Sequence, residues 1–382
     1  NAQGVWAENF GSMVTRYPTL DLFAFYADAG DFGYVIPNYS DAPFESLNTQ
    51  LTSSAVLAVD TGGVYVDPTI TPDDIGTSFR FGAIVVNTGG TPEVRVMGAD
   101  GSALGGTLSL TNTPTTIASV RVNSGRLAVA YDQYLELFDM SDPTSPVSIF
   151  VADHGAAVTD CELDREQVYV CGAAGTGSFT SRAYDTSGNP VWDQAHGATL
   201  NAIRSDGAAV YVAGNSGTGA AKVRARDIST GAELWNNTAV GAIASPSQMA
   251  VDGEFIWVID SSDVSRLERF TGTVTGGMSG TFSAMCVTPR NLFFGDSSGD
   301  ISYLTRNIKA LQTVATFPAA SVGGHVRSMV ADGDRLIVGH DLASSATLTA
   351  LKDPNMSPVL YRKRGASDGF QPFRRDHYPV NM

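Results

Sequence analysis

Lysine is nearly absent from this chain of 382 residues: Lys222, Lys309, Lys352 and Lys363 stand against twenty arginines, and the net charge is −15. So acidic a surface repels phosphate backbones, which argues against nucleic acid as a partner of the whole molecule. Cysteine is also scarce. Three residues make no disulfide framework, and no Cys-x-x-Cys or Cys/His cluster supplies a zinc pattern. Cys161 and Cys171 fall on successive strands of one hairpin. There they either face each other or act as small buried apolar residues, the commoner use of cysteine. No apolar run reaches the ~18 residues of a membrane helix. Helical periodicity is missing too, so no Gly-x-Ser-x-Gly, P-loop or dinucleotide fingerprint sits in the strand–turn–helix setting that gives it meaning. His154, His196, His325, His340 and His377 are scattered without metal-ligand spacing.

What the chain does have is glycine, 40 residues of it, as many short strands and tight turns require. Between 118 and 340 one pattern recurs six times: an apolar strand, a polar turn, a second apolar strand. Ala118–Tyr131, Thr159–Gly172, Asn201–Gly214, Gln248–Asp260, Ala284–Asp296 and Ser328–His340 are the copies. Aligned on Val129, Val170, Val212, Val258, Phe294 and Val338, they are spaced by 41, 42, 46, 36 and 44 residues. That is the size of a four-stranded propeller blade. The outer strands of a blade are legible as well. Lys222–Asp227 and Ala232–Trp235 bracket the turn Ile228-Ser-Thr-Gly231, and Ser181–Asp185 and Pro190–Trp192 bracket Thr186-Ser-Gly-Asn189.

The stretch from 55 to 110 is less regular. Ala55–Val59 and Gly63–Val66 read as a first hairpin, with Glu93–Met97 and Ala103–Thr107 as its outer strands. Asp67–Thr77 reads as an insertion, and Phe81–Val86 as an extra strand without a secure place. One blade here gives seven in all; splitting the stretch gives eight. The expectation is an all-β chain, a seven-bladed β-propeller over 51–362, with an N-terminal arm over 1–50 and an extended tail over 363–382.

The arm is rich in aromatic residues, and Leu20–Tyr26 and Phe32–Ile36 can pair as a hairpin. It either packs on the propeller, supplies a strand that closes the ring, or docks a partner. The tail is both basic and aromatic on an acidic body, which suits contact with another acidic subunit. Trp6, Phe10 and Tyr17 of the arm are the expected partner-binding residues. Arg362, Lys363, Arg364, Phe370, Phe373, Arg374, Arg375 and Tyr378 are their counterparts at the other end of the chain.

Val223-Arg-Ala-Arg-Asp-Ile-Ser-Thr-Gly-Ala-Glu-Leu-Trp235 resembles the pyrroloquinoline-quinone-type repeat, with Arg182–Trp192 a looser copy. Leu135–Val147 looks like the related repeat of bacterial surface propellers, and Leu351–Pro358 echoes it. The resemblance covers roughly 55–360 and implies a fold, not an activity. In that repeat Asp and Ser/Thr bond their own turn, Gly takes a left-handed position, and Trp fills the gap between blades. Quinoprotein dehydrogenases carry an adjacent Cys-Cys pair beneath their cofactor, and this chain has none, so no quinone is expected.

For metal, Asp296-Ser-Ser-Gly-Asp300 and Asp332-Gly-Asp334 hold oxygen ligands in close order, and Asp296 and Asp300 are the candidates for structural calcium. Neither run matches a full calcium loop, and acidic turns serve equally without metal. No catalytic residue is assigned. Two functions follow from these readings. One is a non-catalytic propeller, a structural or protein-interaction module bound to other subunits or to copies of itself, outside the cytoplasm or on a virus particle. The alternative is a secreted hydrolase or lyase acting on carbohydrate at the central channel.

Overall fold

Alternating apolar residues, β-branched side chains and Gly/Asn/Asp turns make strands of most of the described residues. The computed structural model describes residues 103–352 apart from 124, 239, 241–244, 261–262, 288–290, 306–316, 323, 333–334 and 342–345. Outside that range it describes 15–17, 22–28, 31–36, 45–51, 56–65, 79–88, 91–98, 359–363 and 370–373.

The first strands are β1 (Thr15–Tyr17), β2 (Leu22–Asp28), β3 (Asp31–Ile36) and β4 (Glu45–Leu51). Blade 1 is β5 (Val56–Tyr65), β6 (Phe79–Thr88), β7 (Thr91–Gly98) and β8 (Ala103–Thr107). Blade 2 is β9 (Ile117–Asn123), β10 (Arg126–Tyr131), β11 (Tyr134–Asp139) and β12 (Val147–Asp153). Blade 3 is β13 (Val158–Leu163), β14 (Gln167–Gly172), β15 (Ser181–Asp185) and β16 (Pro190–Gln194). Blade 4 is β17 (Leu200–Ser205), β18 (Ala209–Gly214), β19 (Val223–Asp227) and β20 (Glu233–Asn237). Blade 5 is β21 (Gln248–Val251), β22 (Phe255–Ile259), β23 (Asp263–Glu268) and β24 (Val274–Ser279). Blade 6 is β25 (Ala284–Val287), β26 (Asn291–Gly295), β27 (Asp300–Thr305) and β28 (Phe317–Ser321). Then come β29 (Val326–Asp332), β30 (Arg335–His340), β31 (Ala346–Lys352), β32 (Val359–Lys363) and β33 (Phe370–Phe373).

The strands divide between two compact units. The smaller comprises residues 1–45, 333–335 and 352–382. Its sheet runs β1-β2-β3-β32-β33, so β32 stands between β3 of the arm and β33 of the tail. The hairpin expected in the arm is present as β2–β3, and β3 continues antiparallel onto β32 through Phe32↔Lys363 and Ile36↔Val359.

The larger unit, 46–332 with 336–351, holds the propeller. The innermost strands touch in a closed cycle, β5, β9, β13, β17, β21, β25, β29 and back to β5. Six blades are built of four consecutive strands each. A further four-stranded sheet is composite, with the order β29-β30-β31-β4. Against the expected seven blades, or eight, six are built from consecutive strands, and the composite sheet stands between blade 6 and blade 1. The last hairpin of the repeat lacks a fourth strand of its own and takes β4 from the N-terminal segment, which ties the two chain ends together by backbone hydrogen bonds.

Blade 1 brings a second correction. The glycines at 62 and 63 do not turn a hairpin; β5 runs through them with a register shift between Thr61 and Gly63. The strand without a place is its partner, β6. The inserted segment 67–77 lies outside the described residues.

Packing lies between blades. Leu127, Val129 and Phe138 of blade 2 join Ala83, Val85 and Val94 of blade 1 in one buried cluster. Tyr211, Val223 and Ala225 of blade 4 join Met249, Ile256 and Leu267 of blade 5 in another. The same repeat-to-repeat staple recurs on the outer strands. The Trp192 indole N–H donates to the Ile228 carbonyl at 3.0 Å, and that of Trp235 to the Arg269 carbonyl at 3.0 Å, each in the next blade. The turn glycines Gly231 and Gly272 lie against these indoles with φ of +67° and +68°. A Cβ at Gly272 would meet the Trp235 ring at 2.4 Å.

The cysteines answer the hairpin question. Cys161 pairs with Val170 and Cys171 with Asp160, so the two thiols do not face each other. Each is buried and free, in different inter-blade clusters. Burial pushes the Cys161 thiol up to about 12.

Candidate functional site

Charge at the hub is concentrated on three neighbouring inner strands. Arg121, Glu162 and Arg204 hold the same register in β9, β13 and β17, pairing with Ala128, Tyr169 and Tyr211 of the second strands. Ala250 and Cys286 take that place in β21 and β25. Asp160 lies at the centre. Its carboxylate accepts from Arg121 Nη2 at 3.0 Å, Arg204 Nη1 at 2.5 Å and the Ile203 backbone N–H at 3.2 Å, joining blades 2, 3 and 4. Glu162 Oε2 is farther from the same cations, 3.5 Å from Arg121 Nε and 3.8 Å from Arg204 Nε. Asp60 Oδ2 accepts from the Val122 N–H at 2.7 Å and ties blade 1 to blade 2.

Burial pushes the Glu162 carboxyl up to about 7, with Asp60 and Asp160 adding to the rise and Arg121 and Arg204 opposing it. Burial alone would lower Arg121, but Asp160, Glu162 and Asp60 more than offset that, and its guanidinium is held above its ordinary value. The two directions are compatible because Asp160, the closer acid, is the main counter-ion. Glu162, farther from both guanidinium groups, is the carboxyl that burial pushes up.

A second constellation is duplicated. His154-Gly155 with Gly175-Thr176-Gly177 recurs as His196-Gly197 with Gly217-Thr218-Gly219, offset by 42 residues, one blade along. The Nε2 atoms of His154 and His196 lie 2.9 Å from the carbonyls of Ala173 and Asn215. A carbonyl only accepts, so Nε2 carries the proton. Arg224 Nε donates to His196 Nδ1 at 3.1 Å, as the neutral ring requires. Burial, before any charged neighbour, lowers both histidines below their ordinary value. They are loop clasps, with Thr176 N–H and Thr218 N–H bonded back to the histidine carbonyls at 3.0 and 2.7 Å. Taken one at a time these histidines carry no signal; the shared His-Gly and Gly-Thr-Gly spacing is what marks them.

The residues expected from sequence divide as follows. Asp296 Oδ1 accepts from the N–H groups of Ser298 and Asp300 at 2.8 and 2.9 Å, an Asx-type turn between β26 and β27. Among the described residues no group of three or more His, Cys, Asp and Glu is placed to hold a metal ion. His340 is buried at the end of β30. Tyr17 lies on β1, Arg362 and Lys363 on β32, and Phe370 and Phe373 on β33. The sheet that contains these three strands brings both ends of the chain together. Trp6, Phe10, Arg364, Arg374, Arg375 and Tyr378 lie outside the described residues. The hub cluster is hidden from an alignment on the apolar second strands, because Arg121, Glu162 and Arg204 lie on the facing first strands, opposite Ala128, Tyr169 and Tyr211.

Among the described residues no helix is long and apolar enough to cross a membrane. No family model matches the chain. No curated protein matches it in sequence. Solved structures do. A chain from the crystal structure of a mitotic checkpoint complex superposes with a TM-score of 0.61 at 16% identity, over 86% of this chain and 98% of that one. The crystal structure of RRP9 WD40 repeats gives 0.60 at 13%, over 82% of this chain and 98% of that one. The computationally designed Ika8 protein gives 0.54 at 13%, over 81% and 99%. At such identities the likeness establishes the fold alone: the chain is a β-propeller.

Proposed function

We propose that this chain is a non-catalytic propeller that serves as a structural, protein-binding module in an extracellular or virion assembly. The observation that carries the reading is the use to which the hub's charges are put. Asp160 spends its carboxylate on two arginines and the Ile203 N–H, across three blades. That is cross-bracing, a task of scaffolds, and it leaves binding to the outer surfaces. The buried neutral histidines are likewise occupied in holding loops. Inter-blade Trp192 and Trp235, each bonded to a carbonyl of the next blade, support kinship with the pyrroloquinoline-quinone-type repeat within this reading. A propeller that resembles this one has been crystallised within a mitotic checkpoint complex, which supports an assembly role by analogy of fold.

The test is native mass spectrometry of the natural source material, with cross-linking. Recovery of the chain in fixed stoichiometry within a high-mass particle is the expected result. Recovery as a free monomer that cleaves polysaccharide would replace this reading with the hydrolase or lyase one.

A further inference from the structure

The large apolar side chains exposed among the described residues are not scattered. They are Val147, Ile149, Val191, Leu234 and Phe270, exposed by 62, 40, 38, 56 and 75%. All sit at one end of the outer strands or in the turn leading to them, on blades 2, 3, 4 and 5 in succession. Three are structurally equivalent. In β12, Phe150 pairs with Leu137 and Ser148 with Phe138, leaving Ile149 as the extra residue of a β-bulge. Val191 is the extra residue in β16 and Leu234 in β20, by the same shift of register. Each immediately precedes the aromatic residue that plugs the next inter-blade gap. The bulge thus turns one side chain inward and its neighbour out.

A bulge spoils the hydrogen-bond ladder of an edge, so another strand is not expected to extend these sheets. What the rim offers instead is side chains: an arc of aliphatic and aromatic groups, flanked by the acidic turns that precede the outer strands. Asp142, Asp185, Asp227 and Glu268 supply one such turn per blade over the same four blades. Arg269, beside Phe270 at 4.4 Å, is paired with Asp206 at 3.0 Å and does not reverse the sign of the arc.

The complement of such a surface is a segment that is both basic and aromatic, and the chain itself has one. Residues 362–375 hold five of its 24 lysines and arginines, together with Phe370 and Phe373, in a protein of net charge −15. We propose that the acidic, apolar rim of blades 2–5 is the docking surface for the segment 362–375 of a second copy of this chain. The interface is head-to-tail, with a different patch on each copy, so repetition gives a ring or a filament. This inference rests on the assembly reading above and names its contact.

The experiment is light scattering with native mass spectrometry on the full chain, across concentration and salt. Self-association that weakens as salt rises is expected. Leu234→Ser with Phe270→Ser should weaken it at least tenfold while the melting temperature stays within about 2 °C, since both side chains are exposed. Asp185→Arg with Asp227→Arg, and separately Arg374→Glu with Arg375→Glu, should each abolish it. Mixing those two charge-reversed proteins should restore pairing between them. A chain that is monomeric at every concentration overturns the proposal, as does association untouched by the rim variants, or a different protein occupying the rim. In each of these cases a chain still recovered in a high-mass particle would leave the assembly role standing.

Discussion

Glu162 is the carboxylate whose protonation the hub controls. Its folded-state value of about 7 lies above the ordinary 4.5, so in between the folded protein holds a proton that the unfolded chain releases. Its contribution to stability is therefore full below about pH 4.5 and is lost as the pH rises toward about 7. Glu162→Gln keeps the shape and removes the titration. Urea unfolding of this variant should depend less on pH across that window than unfolding of the parent protein. Equal slopes would mean that the carboxyl is ionised throughout. Glu136 is buried as well, and its carboxyl oxygens are served by four donors. It accepts from Thr111 N–H at 3.0 Å, Thr111 Oγ1 at 2.7 Å, Tyr131 Oη at 2.9 Å and Ser148 Oγ at 2.7 Å. Glu136→Leu strands those donors and should cost about 2–4 kcal/mol in urea unfolding; a cost below ~1 kcal/mol would mean that water replaces the carboxylate.

At the scale of elements the unit of stability is the contact between blades. Trp235 bridges blades 4 and 5, tilted against Tyr211 with ring centres 6.2 Å apart and bonded to the Arg269 carbonyl. Part of its ring meets solvent, so Trp235→Ala should cost about 2–4 kcal/mol, at or below the usual range for a large buried aromatic. Gly272→Ala attacks the same joint from the other side. Its φ of +68° and the 2.4 Å approach to the indole should destabilise by a comparable amount, and urea unfolding of both variants checks the pair. If Gly272→Ala were harmless, the turn would not be seated on Trp235. This joint was legible in the sequence because a Ser/Thr-Gly turn followed by Trp recurs at blade spacing, Ser187-Gly188 with Trp192 and Thr230-Gly231 with Trp235. Other features were not, for physical reasons. The glycines before Val64 fit a hairpin turn or a bulge equally well, and only the partner strand β6 decides between them. Asp164, Asp206 and Asp252 each bond two turn N–H groups and the aromatic side chain five residues on, Tyr169, Tyr211 and Trp257. The acidic turns are plain in the sequence, but that partnership runs from turn to strand and is invisible to a reading by strand alternation alone.

For the propeller unit as a whole, the question is how a linear chain becomes a ring. In six blades the hydrogen-bonded neighbours follow one another in sequence, and the cycle of inner strands closes through the composite sheet, where β29 lies between β25 and β5. The composite sheet differs, since its outer strand β4 precedes blade 1 and its other three strands follow blade 6. Sequence periodicity could not assign β4, because a lone closing strand has no second copy with which to align. Closure of this kind makes the ring's integrity depend on a few residues far from the repeat, through contacts of very long sequence separation. Two truncations isolate that dependence. Removing residues 1–44 keeps β4, whereas removing 1–51 takes it away while leaving every contiguous blade intact. The shorter protein should melt lower than the longer one by roughly 5 °C or more, and over a broader transition as β29–β31 lose their neighbour. Calorimetry on both truncations decides it. Matching melting profiles would mean that the inner strands alone hold the ring shut and that β4 is an accessory edge.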